Sequence, residues 1–303
     1  MNFRLNKKKF FLFLEKRFFY LYFLKELINE YRINIKYKNK FYSKYYKHEI
    51  LDFNYDILIK NKKSDTLFIL GSGSSINNIS KEMWEHIKLN DSLGFNFWLI
   101  HEHIPNYYMF EPTAQKEQSK ILQFWLRERA ISYKKMATYI LMKDFRTLSM
   151  RYKDIPEDLR SKFMLLPKDN VYGSTKENII KSFNLIKRFK LFSRNVVYMR
   201  RASLFSAIYI GWRLGYKKIV LAGIDLNNAD YFYESIEYEG ILRPLIKKDK
   251  VHDTIKDNGT DLPIDELIYI LNDYLLKESN TELYVLNKNS LLSTKLEIYN
   301  NFK

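Results

Sequence analysis

Short apolar runs of four or five residues alternate along this chain with longer stretches whose apolar side chains recur every three or four positions. Runs of the first kind predict buried strands, and stretches of the second kind predict helices with one apolar stripe. The clearest opening is Leu67-Phe68-Ile69-Leu70, which passes directly into Gly71-Ser72-Gly73-Ser74-Ser75. A continuous apolar run without alternation fits a parallel strand covered on both faces. A helix is expected next: Ser80 can cap it, Glu82 suits its positive end, and Met83, Trp84 and Ile87 share an inward face. Asp91 then leads a second run through Phe95, Asn96 and Phe97.

The same alternation continues. The pattern predicts a helix over 115–131, a strand from Ala137 to Met142, and a helix from the Ser174-Thr175-Lys176-Glu177 capping box to about Lys190. A strand at Val196–Met199 and a helix from Leu204 to Leu214, stopped by Gly215, come next. Lys218–Ala222 is a second clear strand and ends in Gly223-Ile224-Asp225. A helix behind Pro263 reaches Lys277, and Glu282–Leu286 is the last strand. Strands alternating with helices over 66–290 predict an α/β fold with a single doubly wound, mostly parallel sheet. Before this region, residues 3–32 read as one or two helices, and the alternation of Ile33, Ile35 and Tyr37 suggests a short strand. The polar run Asn61-Lys62-Lys63-Ser64-Asp65 places a domain boundary there, with an extension over 1–63 and a main domain over 64–303.

Four places carry candidate chemistry by position alone. The Gly71–Ser75 loop follows a strand and precedes a helix, so its N–H groups and hydroxyls can meet a phosphate. It lacks the Gly-Lys-Ser/Thr of a Walker loop, and Ile76 stands where a dinucleotide fingerprint has its third glycine. Taken alone, such a loop is as readily a plain turn. Asp225, at the carboxyl end of a strand, lies on the ligand side of such a sheet. His101 and His103 flank Glu102 on one side of the chain, which permits a shared metal but more often marks packing. Leu226–Thr260 has weak periodicity and many tyrosines, as expected of a lid at about 226–260.

Composition narrows the classes. The 303 residues contain no cysteine, which excludes disulfides, thiolate metal sites and thiol catalysis. No apolar run reaches the roughly 18 residues a membrane span needs, and no secretory signal is evident. Abundant Lys, Asn, Ile, Tyr and Phe suggest the coding bias of an AT-rich bacterial genome. The net charge of +16 is uneven: residues 1–63 hold 16 Lys/Arg against 6 Asp/Glu, mixed with many aromatics. Basic aromatic helices suit an anionic membrane surface, in preference to nucleic acid. A cytoplasmic protein, peripheral on the inner face of the cytoplasmic membrane, is the expectation.

Several motifs in this order resemble the bacterial sialyltransferases of glycosyltransferase family 42. They are Gly71-Ser72-Gly73-Ser74-Ser75, Asn96, Pro112, Arg200 and Ser203, then LGYKKIVLAGID at 214–225. His252, Thr260-Asp261 and Asn289-Ser290-Leu291-Leu292 follow. The resemblance covers about residues 66–295. Ser72 and Glu111 stand where the family has Asn, and Asn227 stands where it has Tyr. The resemblance implies a Rossmann-like variant of the GT-A fold with a small lid. It also implies an inverting, metal-independent transfer of a sialic acid from CMP-sialic acid to a hydroxyl of a bacterial surface glycan, lipooligosaccharide or capsule.

On that resemblance, Gly71, Ser72, Gly73, Ser74, Ser75, Asn96, Glu111, Arg200, Ser203 and Asp225 would bind the CMP-sugar. Tyr233 and Tyr231 would stabilise the departing phosphate, and a neutral His252 would take the acceptor proton. No cofactor is implied beyond the CMP-sugar itself, and a homo-oligomer is compatible. Three alternatives stay open: the same fold using CMP-Kdo or another CMP-nonulosonate, such as a legionaminate or pseudaminate, a non-catalytic nucleotide- or glycan-binding protein, and a His101/His103 metallohydrolase.

Overall fold

The computed structural model describes residues 17–41, 49–112, 115–143, 145, 150–244, 253–255 and 261–300. In chain order, helix α1 (Phe19–Phe41) precedes strand β1 (Leu51–Asp52), helix α2 (Tyr55–Ile59) and strand β2 (Thr66–Leu70). Helix α3 (Lys81–Leu89), β3 (Asp91–Phe95), β4 (Tyr107–Phe110), α4 (Lys116–Lys135) and β5 (Tyr139–Lys143) follow. Next come α5 (Glu157–Arg160), β6 (Phe163–Leu166), β7 (Lys168–Asn170), α6 (Lys176–Arg188) and β8 (Val197–Met199). The chain then forms α7 (Ser203–Arg213), β9 (Lys218–Ala222), α8 (Ile264–Leu271), β10 (Glu282–Val285) and β11 (Glu297–Ile298).

The main sheet has 9 strands in the order β1-β6-β5-β4-β3-β2-β9-β10-β11. Every pairing within it is parallel. The two runs with the clearest apolar pattern, β2 and β9, pair at its centre from Thr66–Lys218 to Leu70–Ala222. From β2 the chain moves outward through β3, β4, β5 and β6, then returns to β2's other side as β9. The order therefore reverses next to β2, and a crevice opens at such a reversal, beyond the carboxyl ends of the strands.

Alternation along the strands divides the core into two layers. Leu67, Ile69, Ile219 and Leu221 pack with α1, α6, α7 and α8. Phe68, Leu70, Val220 and Ala222 pack with α3 and α4. Ser80 caps α3 by accepting from the Met83 N–H at 3.2 Å, and Met83 and Ile87 are buried as the spacing predicts.

Some expectations change. The strand expected at 33–37 is the continuation of α1, which runs unbroken to Phe41. Ile33, Tyr37 and Phe41 are four apart and turn toward the protein, whereas Ile35 is exposed, so two rows of one helix produced the alternation. Residues 61–65 do not separate two bodies. Phe19, Phe23, Phe53, Tyr55 and Leu58 belong to the same core as β2 and β9, and β1 extends the main sheet beside β6. The capping box at Ser174 shifts by one residue, with Thr175 accepting from the Asn178 N–H. Val197–Met199 leaves the main sheet and pairs with β7 in a separate two-stranded sheet. Pro167, between β6 and β7, cannot donate a ladder bond, and its carbonyl accepts from Val197 N–H instead.

Candidate functional site

A cleft of about 530 Å³ lies at the strand-order reversal. The loops after β2, β3, β4 and β9 and the start of α7 line it, as do Tyr231 and Tyr233 from the segment beyond β9. It brings together Ser72, Gly73, Asn96, Glu111, Ser203, Asp225, Tyr231 and Tyr233. Gly71, Ser74, Ser75 and Arg200 are not on its wall. Ser75 lines a neighbouring hollow of about 300 Å³, and Arg200 is ion-paired with Asp261. His252 and Thr260 lie outside the described residues, as does most of the expected lid beyond residue 244.

The Gly71–Ser75 loop does not present a row of N–H groups to an anion. Gly71 N–H donates to Ala222 carbonyl at 2.8 Å, Gly73 N–H to Gly223 carbonyl at 2.8 Å and Ser74 N–H to Asp230 carbonyl at 3.0 Å. Ser75 N–H donates to Asp225 Oδ2 at 3.1 Å. The glycines allow this loop to lie against the loop after β9. A Cβ on Gly71 would sit 2.5 Å from the Gly223 carbonyl oxygen, and one on Gly73 would sit 2.5 Å from Asp225 Oδ2. Asp225 is buried and committed to structure, since its other oxygen accepts from Asn287 Nδ2 at 2.8 Å. The Asn289-Ser290-Leu291-Leu292 stretch braces the same loop: Ser290 Oγ donates to Ile224 carbonyl at 2.6 Å, and Leu291 N–H donates to Asp225 carbonyl.

The groups left to meet a ligand are hydroxyls. Ser72 Oγ and Tyr233 Oη are buried and have no hydrogen-bond partner among the described residues, which costs roughly 1–3 kcal/mol for each such group. Tyr233 is stacked on Tyr231 with ring centres 5.1 Å apart and planes 4° from parallel. Arg243 fixes its backbone by donating to the Tyr233 carbonyl at 2.6 Å. Burial pushes the Tyr233 phenol far above its ordinary pKa, so the hydroxyl keeps its proton. Asn96 takes a left-handed backbone with φ 56°, which Asn tolerates better than most residues, and its carbonyl accepts from the Tyr108 hydroxyl.

Sequence patterns missed a charge beside the cleft wall. Lys143, the last residue of β5, is buried and ion-paired with Glu111 at 2.6 Å. It also donates to Ser203 Oγ at 2.9 Å. Ala202, Ser203 and Leu204 carry the amino end of α7 to the cleft wall, so the positive end of the helix and the Lys143 ammonium face one region. The signal was available: a Lys at the carboxyl end of a buried run stands where the rule that selected Asp225 would have placed it.

His101 and His103 are occupied by packing. His101 is stacked on Trp98 at 4.5 Å and on Trp84 at 4.9 Å, and its Nδ1 accepts from His103 N–H. His103 Nε2 bonds with Ser92 Oγ at 3.1 Å. Burial lowers the pKa of His101 to about 3 and that of His103 to about 4. Among the described residues, no group of three His, Asp or Glu comes together as a metal site would require.

No protein-family model matches the chain, and no curated protein is similar to it. Solved structures are. One is the monofunctional alpha-2,3-sialyltransferase Cst-I from Campylobacter jejuni, at 19% identity and TM-score 0.43, covering 80% of this chain and 84% of that one. Another is the sialyltransferase CstII from Campylobacter jejuni in complex with a substrate analogue, CMP-3FNeuAc, at 19% identity and TM-score 0.41, covering 78% and 86%. A third is the sialyltransferase CST-II in complex with trisaccharide acceptor and CMP, at 19% identity and TM-score 0.42, with the same coverage. Over about four fifths of its length, the chain is thus similar to solved sialyltransferases.

Proposed function

We propose that this protein is an inverting glycosyltransferase that moves a sialic acid from CMP-sialic acid to a glycan hydroxyl, without a metal ion. The observation that carries this reading is Tyr233, a residue of the wall of the cleft at the strand-order reversal, whose buried, protonated hydroxyl has no hydrogen-bond partner among the described residues. When the bond between the anomeric carbon and the phosphate oxygen breaks, negative charge gathers on the departing CMP phosphate. A fixed phenol O–H stabilises that charge without having to reorganise. The desolvation cost of an unpaired Tyr233 Oη is offset only when an acceptor arrives, which favours the transition state.

A donor carboxylate would suit Ser203 on the cleft wall, where the amino end of α7 and the Lys143 ammonium bonded to Ser203 Oγ each favour an anion. Ser72 Oγ and Asn96 suit the nucleotide or sugar hydroxyls. His252 is proposed as the base that takes the acceptor proton, since a neutral imidazole with an ordinary pKa of about 6.5 can do so near neutrality.

Glu111 supports a second donor class. Its carboxylate on the cleft wall accepts bonds from sugar hydroxyls, which suits CMP-Kdo or another CMP-nonulosonate as well. Calorimetry with CMP, UMP and GDP in EDTA, followed by turnover of CMP-sialic acid and CMP-Kdo, tests the whole reading. Selective CMP binding with turnover in EDTA is expected. Binding without turnover of any CMP-sugar would make the protein a binder, and absence of CMP binding would end the transferase reading.

A further inference from the structure

Helix α1 carries a second apolar stripe, exposed, besides the one it buries. Its inner face carries Glu30 and Asn34: Glu30 accepts from Asn170 Nδ2 at 3.0 Å, and Asn34 Nδ2 donates to the Lys168 carbonyl at 2.7 Å. Phe19, Phe23 and Phe41 are buried on the same inner side, with Phe23 set edge-on to Tyr172 at 5.6 Å. The outer face carries Tyr20, Leu21, Leu24, Ile28, Tyr31 and Ile35, each 43–67% exposed. At 3.6 residues per turn these six side chains fall within an arc of about 100° and extend along about 22 Å of helix. An apolar stripe of that width ordinarily faces a core; here it faces outward.

Charge identifies what covers it. Lys25, Arg32 and Lys36 are exposed and form a row along one flank of the stripe. Arg194 lies 5.9 Å above the Tyr31 ring. The acids of α1 are Glu26, which lies 3.9 Å from the Lys25 ammonium, and Glu30, which is buried, and both lie off the stripe. A second copy docked through the same face would set Arg32 and Lys36 against like charges, with no acid of α1 on the stripe between them. An anionic lipid surface offers hydrocarbon to the stripe and phosphate to the cationic row.

We infer that the outer face of α1 is a membrane-docking surface, lying in the plane of an anionic bilayer with Leu21, Leu24, Ile28, Tyr31 and Ile35 in the headgroup boundary. This site is separate from the cleft and does not depend on the reaction proposed for it. Because α1 also contributes to the core, removing residues 1–63 would confound docking with folding, and point variants of the full chain are the proper test.

The full chain is sedimented with vesicles of equal parts phosphatidylcholine and phosphatidylglycerol, and with vesicles of phosphatidylcholine alone. Strong binding to the mixed vesicles is expected, at least about tenfold weaker without the anionic lipid. The double variant Leu24→Asp/Ile28→Asp and the triple variant Lys25→Glu/Arg32→Glu/Lys36→Glu should each bind about a hundredfold more weakly. If circular dichroism shows either one unfolded, Leu24→Ser/Ile28→Ser and Lys25→Gln/Arg32→Gln/Lys36→Gln replace them. Failure of the parent chain to bind, or equal binding by folded variants, overturns the inference. So does a parent chain that ignores vesicles but forms a dimer in light scattering that the variants dissociate, since a second copy would then be the occupant.

Discussion

Under the proposed transfer, the Tyr233 hydroxyl would bear on catalysis and not on stability. That hydroxyl has no partner among the described residues, so removing it breaks no bond within them. Tyr233→Phe should leave the melting temperature undiminished and lower kcat by about a hundredfold, the usual effect of losing one donor to developing charge. A thermal melt beside steady-state kinetics reads both outcomes. Lys143 makes the opposite case. Its charge is satisfied by Glu111 and Ser203, and a donor carboxylate would share it. Lys143→Met is expected to raise the donor KM by about ten- to a hundredfold, the worth of one hydrogen bond to a charged group, while CMP alone binds nearly as before.

At the scale of elements, the loop after β2 and the loop after β9 behave as one joined unit. Four N–H groups of the first are spent on the second, and the glycines keep the two within bonding distance. Gly73→Ala puts a methyl group 2.5 Å from Asp225 Oδ2 and 2.8 Å from the Gly223 carbonyl oxygen. It should cost about 1–3 kcal/mol in urea unfolding and weaken CMP binding through a displaced Ser72. Asp225→Ala would strip the acceptor from Ser75 N–H and Asn287 Nδ2 together. Its expected cost is about 2–4 kcal/mol, because two donors lose their partner.

For the whole molecule, the buried titratable groups set the pH dependence of stability. Burial holds His101 near 3 and His103 near 4, below their unfolded values, so the folded state resists protonation. Their stabilisation is complete above about 6.5 and is lost as pH falls through the folded values. Asp169 has the opposite sign: desolvation raises it to about 6 despite the Arg194 charge. Its contribution is present below its unfolded value near 4 and is lost as pH rises through about 6. Two histidines outweigh one aspartate, so the melting temperature should fall from pH 6.5 to pH 4. His101→Phe, which keeps a ring between Trp84 and Trp98, should flatten that fall in a series of melts.

Much of the fold is written locally. The apolar runs of β2 and β9, the Ser80 cap and the stop at Gly215 each need only a few neighbouring residues, and all stand where periodicity and capping chemistry predict. The alternation of strands and helices, with no further information, determines a doubly wound sheet and places Asp225 at its ligand edge. The sequence could not say whose carbonyls would accept the N–H groups of Gly71–Ser75. The acceptors come from Ala222, Gly223, Asp225 and Asp230, about 150 positions away, and only closing β2 against β9 brings them within reach. The meeting of Glu111, Lys143 and Ser203 is equally non-local, as three separate segments must end at one cleft. The same holds for α1: periodicity predicts a helix with apolar residues on several sides, but packing against β7 decides which apolar row is buried and which faces outward.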